Sequence, residues 1–101
     1  RGYLGMYDTK NGATKEWASP GGPRSQPYGI TTLNGIVWYN EGSIKPNGLV
    51  RFDPKSEKFQ TFAILPSGGG TVRNMMPSAD GKSLLMAESG VNRVAIATIE
   101  N

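Results

Sequence analysis

Short apolar runs separated by turn residues fill this chain from end to end. "PYGITTL" (27–33) meets "IVWYNE" (36–41) across Asn34-Gly35. That dipeptide is a strong hairpin signal, because both residues tolerate the positive φ a tight turn needs. "LVRFD" (49–53) and "KFQTFAI" (58–64) follow, joined through "PKSE". The order then returns as "RNMMPSA" (73–79), Asp80-Gly81, "SLLMAE" (83–88) and "RVAIATIE" (93–100). At the start, "YLGMYDT" (3–9) and "TKEWAS" (14–19) flank Asn11-Gly12. No segment sustains apolar residues at helical spacing with caps, so no helix is expected. "IVWY" and "SLLMA" are apolar without alternation, as in strands covered on both faces.

The runs recur at a fixed period. "LGMYDTK", "LVRFDPK" and "VAIATIE" begin at Leu4, Leu49 and Val94, each 45 residues after the last. Pro20 and Pro66 are 46 apart, as are Asn34 and Asp80, and Glu41 and Glu88 are 47 apart. Slips of this size are what loop insertions produce. Four short strands in each such period are the mark of a β-propeller blade. The expected fold is therefore all-β, a propeller segment of about two four-stranded antiparallel blades with incomplete ends. Residues 1–19 read as the end of one blade, 27–64 as a complete blade and 73–100 as a blade lacking its last strand. A propeller closes with about four to eight blades. Residues 1–101 thus read either as the C-terminal portion of a larger propeller or as a unit that its own copies complete.

Two glycine-rich stretches, "PGGPRSQPYGI" (20–30) and "PSGGGTVRNMM" (66–76), at first suggest a phosphate loop. Neither ends in the Lys-Ser/Thr that a P-loop requires. Their recurrence at the repeat spacing identifies them as connectors between sheets.

The composition removes several chemistries. There is no His, so no imidazole base and no Ser-His-Asp triad. There is no Cys, so no disulfide, thiolate metal site or cysteine nucleophile. The net charge is +3, and the basic residues are scattered singly rather than clustered, which argues against nucleic acid as a partner. No apolar stretch approaches the roughly 20 residues of a membrane-spanning helix, so no membrane role is expected.

Residues 21–62, "GGPRSQPYGITTLNGIVWYNEGSIKPNGLVRFDPKSEKFQTF", followed by "SGGGTVRNMM" and "MAESGVNRVA", resemble the streptogramin lyase (virginiamycin B lyase) family. The Trp38-Tyr39-Asn40-Glu41 phrase and the Asn-Arg-Val after Gly90 carry the likeness, which covers nearly the whole chain. The resemblance implies a seven-bladed propeller of bacterial origin. It also implies a Mg²⁺-assisted elimination that opens the ester ring of a cyclic depsipeptide antibiotic. In that family a working His lies on the innermost strand, preceded in the last blade by an acidic residue and followed by a Glu. Here Tyr28 and Asn74 stand at the His positions and Val72 at the acidic one; the later Glu is kept as Glu88, with Glu41 its counterpart one repeat earlier.

Tyr28, Glu41, Arg73 and Asn74 are accordingly candidate ligand-binding residues, and Glu88 is the candidate catalytic residue. Each has a plainer role beside the functional one. Glu41 and Glu88 tie down loops, Tyr28 packs at the axis, and Arg73 is a surface charge. Trp17, Trp38, Phe52, Phe59 and Phe62 read as core between blades. With the His and acidic positions replaced, the first expectation is a propeller that binds a small molecule or serves as a scaffold. The second is a carbon-oxygen lyase using Glu88 or Glu41 as base or Mg²⁺ ligand, with Arg73 and Asn74 steadying an oxyanion. The third is an interaction module that associates with itself through open blade edges.

Overall fold

The computed structural model describes residues 2–43, 47–63, 72–88 and 93–99, with the backbone alone at 63, 72, 73, 88 and 93. Nine strands form three antiparallel sheets: β1 (Tyr3–Tyr7) with β2 (Thr14–Ala18); β3 (Pro27–Leu33), β4 (Ile36–Glu41), β5 (Gly48–Asp53) and β6 (Lys58–Ala63); and β7 (Val72–Pro77), β8 (Ser83–Glu88) and β9 (Arg93–Thr98). Every strand pairs with its neighbour in sequence. This is an all-β chain of small stacked sheets, consistent with part of a propeller-like fold. Among the described residues, no helix is long and apolar enough to cross a membrane.

The middle sheet explains the unbroken apolar runs. Alternate residues of a strand point to opposite faces, so Val37, Tyr39, Val50 and Phe52 share one face and Trp38 and Leu49 the other. The first face packs against Leu4 and Trp17 of the first sheet. The second packs against Met75, Leu84 and Met86 of the third. Trp17 and Phe52 meet with ring centroids 4.7 Å apart, and Phe52 and Phe59 with centroids 4.6 Å apart. Trp17, Trp38, Phe52 and Phe59 therefore lie in the seams between sheets, whereas Phe62 stays 41% exposed.

The turns show where the repeat slips. Asn34 and Gly35 both have positive φ (53° and 79°) and close β3–β4 as a two-residue turn. In the third sheet the N–H of Ser78 bonds the carbonyl of Ser83, so Asp80-Gly81 lies in a four-residue loop rather than a tight turn. Two extra residues there move the offset from 45 on β7 to 47 on β8, and the shorter link from β8 to β9 restores it. The β1–β2 and β5–β6 turns are built alike. Asp8 and Asp53 each accept the N–H two residues on at 2.9 Å. Each turn then ends at a positive φ, on Gly12 in one and Glu57 in the other. Glu57 carries this conformation despite its side chain, which reaches back to the first sheet. It accepts hydrogen bonds from Lys15 Nζ and from Trp17 Nε1 (3.1 Å). Lys15's bond, then Trp17's, holds the Glu57 carboxyl below the usual range.

Replacing Leu84, fully buried in the seam between second and third sheets, by Ala is expected to cost about 2–5 kcal/mol in urea unfolding. A second expectation concerns Asp80, whose Oδ1 accepts Ser78 Oγ–H at 2.6 Å and Lys82 N–H at 3.0 Å. The Ser78 bond first, then Lys82's, lowers its pKa. A carboxyl lowered in the folded state contributes stability above its unfolded pKa and loses it as pH falls through the folded value. The β7–β8 loop should therefore loosen on acidification, and Ser78→Ala should move Asp80 back upward in a carboxyl NMR titration.

Candidate functional site

β3 and β7, the first strands of the second and third sheets, lie beside one another, and both begin with a β-bulge. Between the Pro27↔Glu41 and Ile30↔Tyr39 pairs, Tyr28 and Gly29 oppose Asn40 alone. Between Val72↔Glu88 and Asn74↔Ala87, Arg73 is the extra residue. Bulges bend a strand and re-aim the side chains within them. Register makes Tyr28 equivalent to Arg73 and Gly29 to Asn74, because the offset on this strand is 45. Tyr28 and Asn74, which share the family's His position in the sequence comparison, are thus one place apart in the structure.

Tyr28 is 60% exposed, so it does not pack into a core. Asn74 is also exposed, and its Oδ1 accepts the N–H of Met75 at 2.9 Å. Arg73 and Glu88 sit on β7 and β8, with side chains outside the described residues. A shallow hollow lined by Gly5, Met6, Thr14, Lys15 and Glu16 lies on the β1–β2 hairpin and holds none of these candidates.

Glu41 is committed elsewhere. It is fully buried at the end of β4. Its Oε2 accepts the Ser19 hydroxyl and, at 2.7 Å, the N–H of Gly21. With Ser19 donating to the carboxylate, Tyr39 donates its hydroxyl to Ser19 Oγ at 2.7 Å, so three side chains form one relay. Burial raises the Tyr39 pKa most, and the Glu41 charge raises it further against the opposing Ser19 bond. Oε1 has no hydrogen-bond partner among the described residues. The carboxylate lies directly under the connector, where a Cβ on Gly21 would stand 2.7 Å from Oε1. Glu41 therefore fastens the glycine-rich connector to the sheet.

The connector itself is two successive turns. The N–H of Gly22 bonds the carbonyl of Ser19 at 3.0 Å, and the N–H of Ser25 bonds that of Gly22 at 3.1 Å. Beyond it, Asn40 Oδ1 accepts the N–H of Gly29 at 2.6 Å, spanning the bulge that carries Tyr28. The sequence reading missed Ser19, Tyr39 and Asn40 as positioning residues. Its one available signal was the polar pair Asn40-Glu41 closing an apolar run.

A Mg²⁺ ion takes near-octahedral oxygen coordination and keeps several waters. Glu41 does not suit it, being enclosed and capped by an amide N–H and a hydroxyl. Among the described residues no three acidic side chains gather as a metal site.

Two substitutions test the Glu41 fastening. Glu41→Ala is expected to cost about 1–3 kcal/mol by removing the acceptor of the buried Ser19 hydroxyl and the part-buried Gly21 N–H. Gly21→Ala should cost about 1–3 kcal/mol by forcing a methyl against the held carboxylate. Both are read in urea unfolding.

Comparison with known protein families, with curated proteins and with solved structures finds no match.

Proposed function

We propose that this chain is the ligand-binding part of a β-propeller of streptogramin lyase type, which takes a small molecule at the bulged ends of β3 and β7. The observation that carries this reading is the pair of bulges on adjacent inner strands, which hold Tyr28 and Arg73 at equivalent places with Asn74 beside them. Tyr28 offers an aromatic face and a hydroxyl, and Asn74 an amide. Arg73 brings a planar cation suited to a carboxylate or ester oxygen. The bulged strand ends adjoin loops, where binding residues commonly concentrate.

Binding is favoured over elimination because proton abstraction needs a base within hydrogen-bond reach of the substrate. Glu41, the one candidate base whose side chain is described, is buried and already hydrogen-bonded. The family's Mg²⁺-assisted chemistry therefore finds no support in Glu41.

The test uses a streptogramin-type cyclic depsipeptide, with and without Mg²⁺. Ring opening by elimination leaves the mass unchanged, so it is read by chromatography, while binding is read from amide shifts. The expected result is a shift at Tyr28, Gly29 and Asn74 with the ring intact, at least tenfold weakened by Tyr28→Ala. Mg²⁺-dependent ring opening overturns the reading, as does an absence of any shift at these residues.

A further inference from the structure

Three Asn-Gly steps occur in this chain: Asn11-Gly12, Asn34-Gly35 and Asn47-Gly48. Such a step is chemically weak, because glycine has no side chain to hinder attack by its own nitrogen on the Asn side-chain carbonyl. Reaction needs that nitrogen free to lose its proton, the side-chain amide free to turn towards it, and water at hand. The fold meets these needs unequally.

Asn11 is exposed, but both reacting groups are engaged. Its Oδ1 accepts the N–H of Ala13 at 2.9 Å, and the N–H of Gly12 donates to the carbonyl of Asp8 at 2.8 Å. Asn47 is only 1% exposed, and Gly48 lies within β5, paired with Glu41 on one side and Ala63 on the other. Asn34 and Gly35 differ from both. They are exposed at the tip of the β3–β4 hairpin. The N–H of the second residue in a two-residue turn takes no part in the ladder. Among the described residues nothing accepts the Gly35 N–H, and nothing bonds the Asn34 amide.

We infer that Asn34 is a site of covalent modification by water, which deamidates in the folded chain while Asn11 and Asn47 are protected. Hydroxide takes the Gly35 N–H proton, and the nitrogen attacks Asn34 Cγ. The new N–Cγ bond forms, the bond from Cγ to the amide nitrogen breaks, and ammonia leaves with a proton from water. Water then opens the cyclic imide at one of its two carbonyls. Opening at Cγ gives aspartate in an ordinary backbone. Opening at the main-chain carbonyl gives isoaspartate, with the backbone routed through Cγ.

The two products act differently on the hairpin. Asp-Gly suits the same turn as Asn-Gly, so the aspartate form keeps the Leu33↔Ile36 pair and adds a negative charge. The isoaspartate form puts an extra carbon into a two-residue turn and displaces that pair. Leu33 and Ile36 both pack against the cluster that joins the second and third sheets, so this form also loosens the seam.

The experiment incubates the wild-type chain at mildly alkaline pH, folded in buffer and unfolded in guanidinium chloride. Peptide mass spectrometry follows all three steps, and chromatography separates isoaspartate from aspartate. In the unfolded chain the three should convert at similar rates, which shows that the incubation is long enough. In the folded chain Asn34 should convert roughly tenfold or more faster than Asn11, with Asn47 intact, because those two react only after local opening. The isoaspartate form should unfold at lower urea than the Asn34→Asp variant. An Asn34 preserved in the folded chain overturns the inference, as does an Asn11 or Asn47 that converts as fast. Equal urea midpoints for the isoaspartate form and Asn34→Asp overturn the effect on the turn.

Discussion

Everything in this chain depends on the middle sheet being covered on both sides. Its β4 and β5 strands carry large apolar groups in both directions, and each fully buried one contributes about 1.5–3 kcal/mol against exposure. One face needs Leu4 and Trp17, and the other needs Met75, Leu84 and Met86. Among the described residues, the two hydrophobic clusters meet through the strands of the middle sheet. That arrangement orders three small sheets in a chain that has no cysteine to staple them.

The polar end of β4 solves a different problem with the same geometry. The connector from β2 to β3 passes over the end of β4, and its N–H groups need acceptors. Glu41 provides one for Gly21, and Asn40 provides one for Gly29 on the opposite side of the strand. A buried carboxylate is tolerated when it collects such donors and is costly otherwise. Glu41, named beside Glu88 as a base or Mg²⁺ ligand, is here part of the scaffold that fastens the connector. Tyr28 has no part in that fastening and stands exposed on the bulge.

Much of this was legible in the sequence. The strand boundaries follow from apolar runs cut by Asn-Gly, Asp-Gly and Pro, and from a spacing that repeats. The Asp80-Gly81 loop was not, since Asp-Gly serves both a two-residue turn and a longer one, and one extra residue on each side does not alter the dipeptide. The partners of Glu41 were hidden for another reason. Ser19 and Gly21 lie about twenty residues away, across a sheet boundary, and local pattern carries no information about which loop will close over a strand end.

The consecutive pairing of all nine strands bears on how the chain acquires its structure. Each ladder joins segments adjacent in sequence, so strand pairing closes short loops and carries a low entropic cost. The slow step is then the meeting of preformed hairpins across the connector, where Trp17 and Phe52 must find each other. During synthesis the first hairpin waits with one face uncovered until Val50 and Phe52 emerge, and the middle sheet waits in turn for the third. The order of translation and the order of burial are the same.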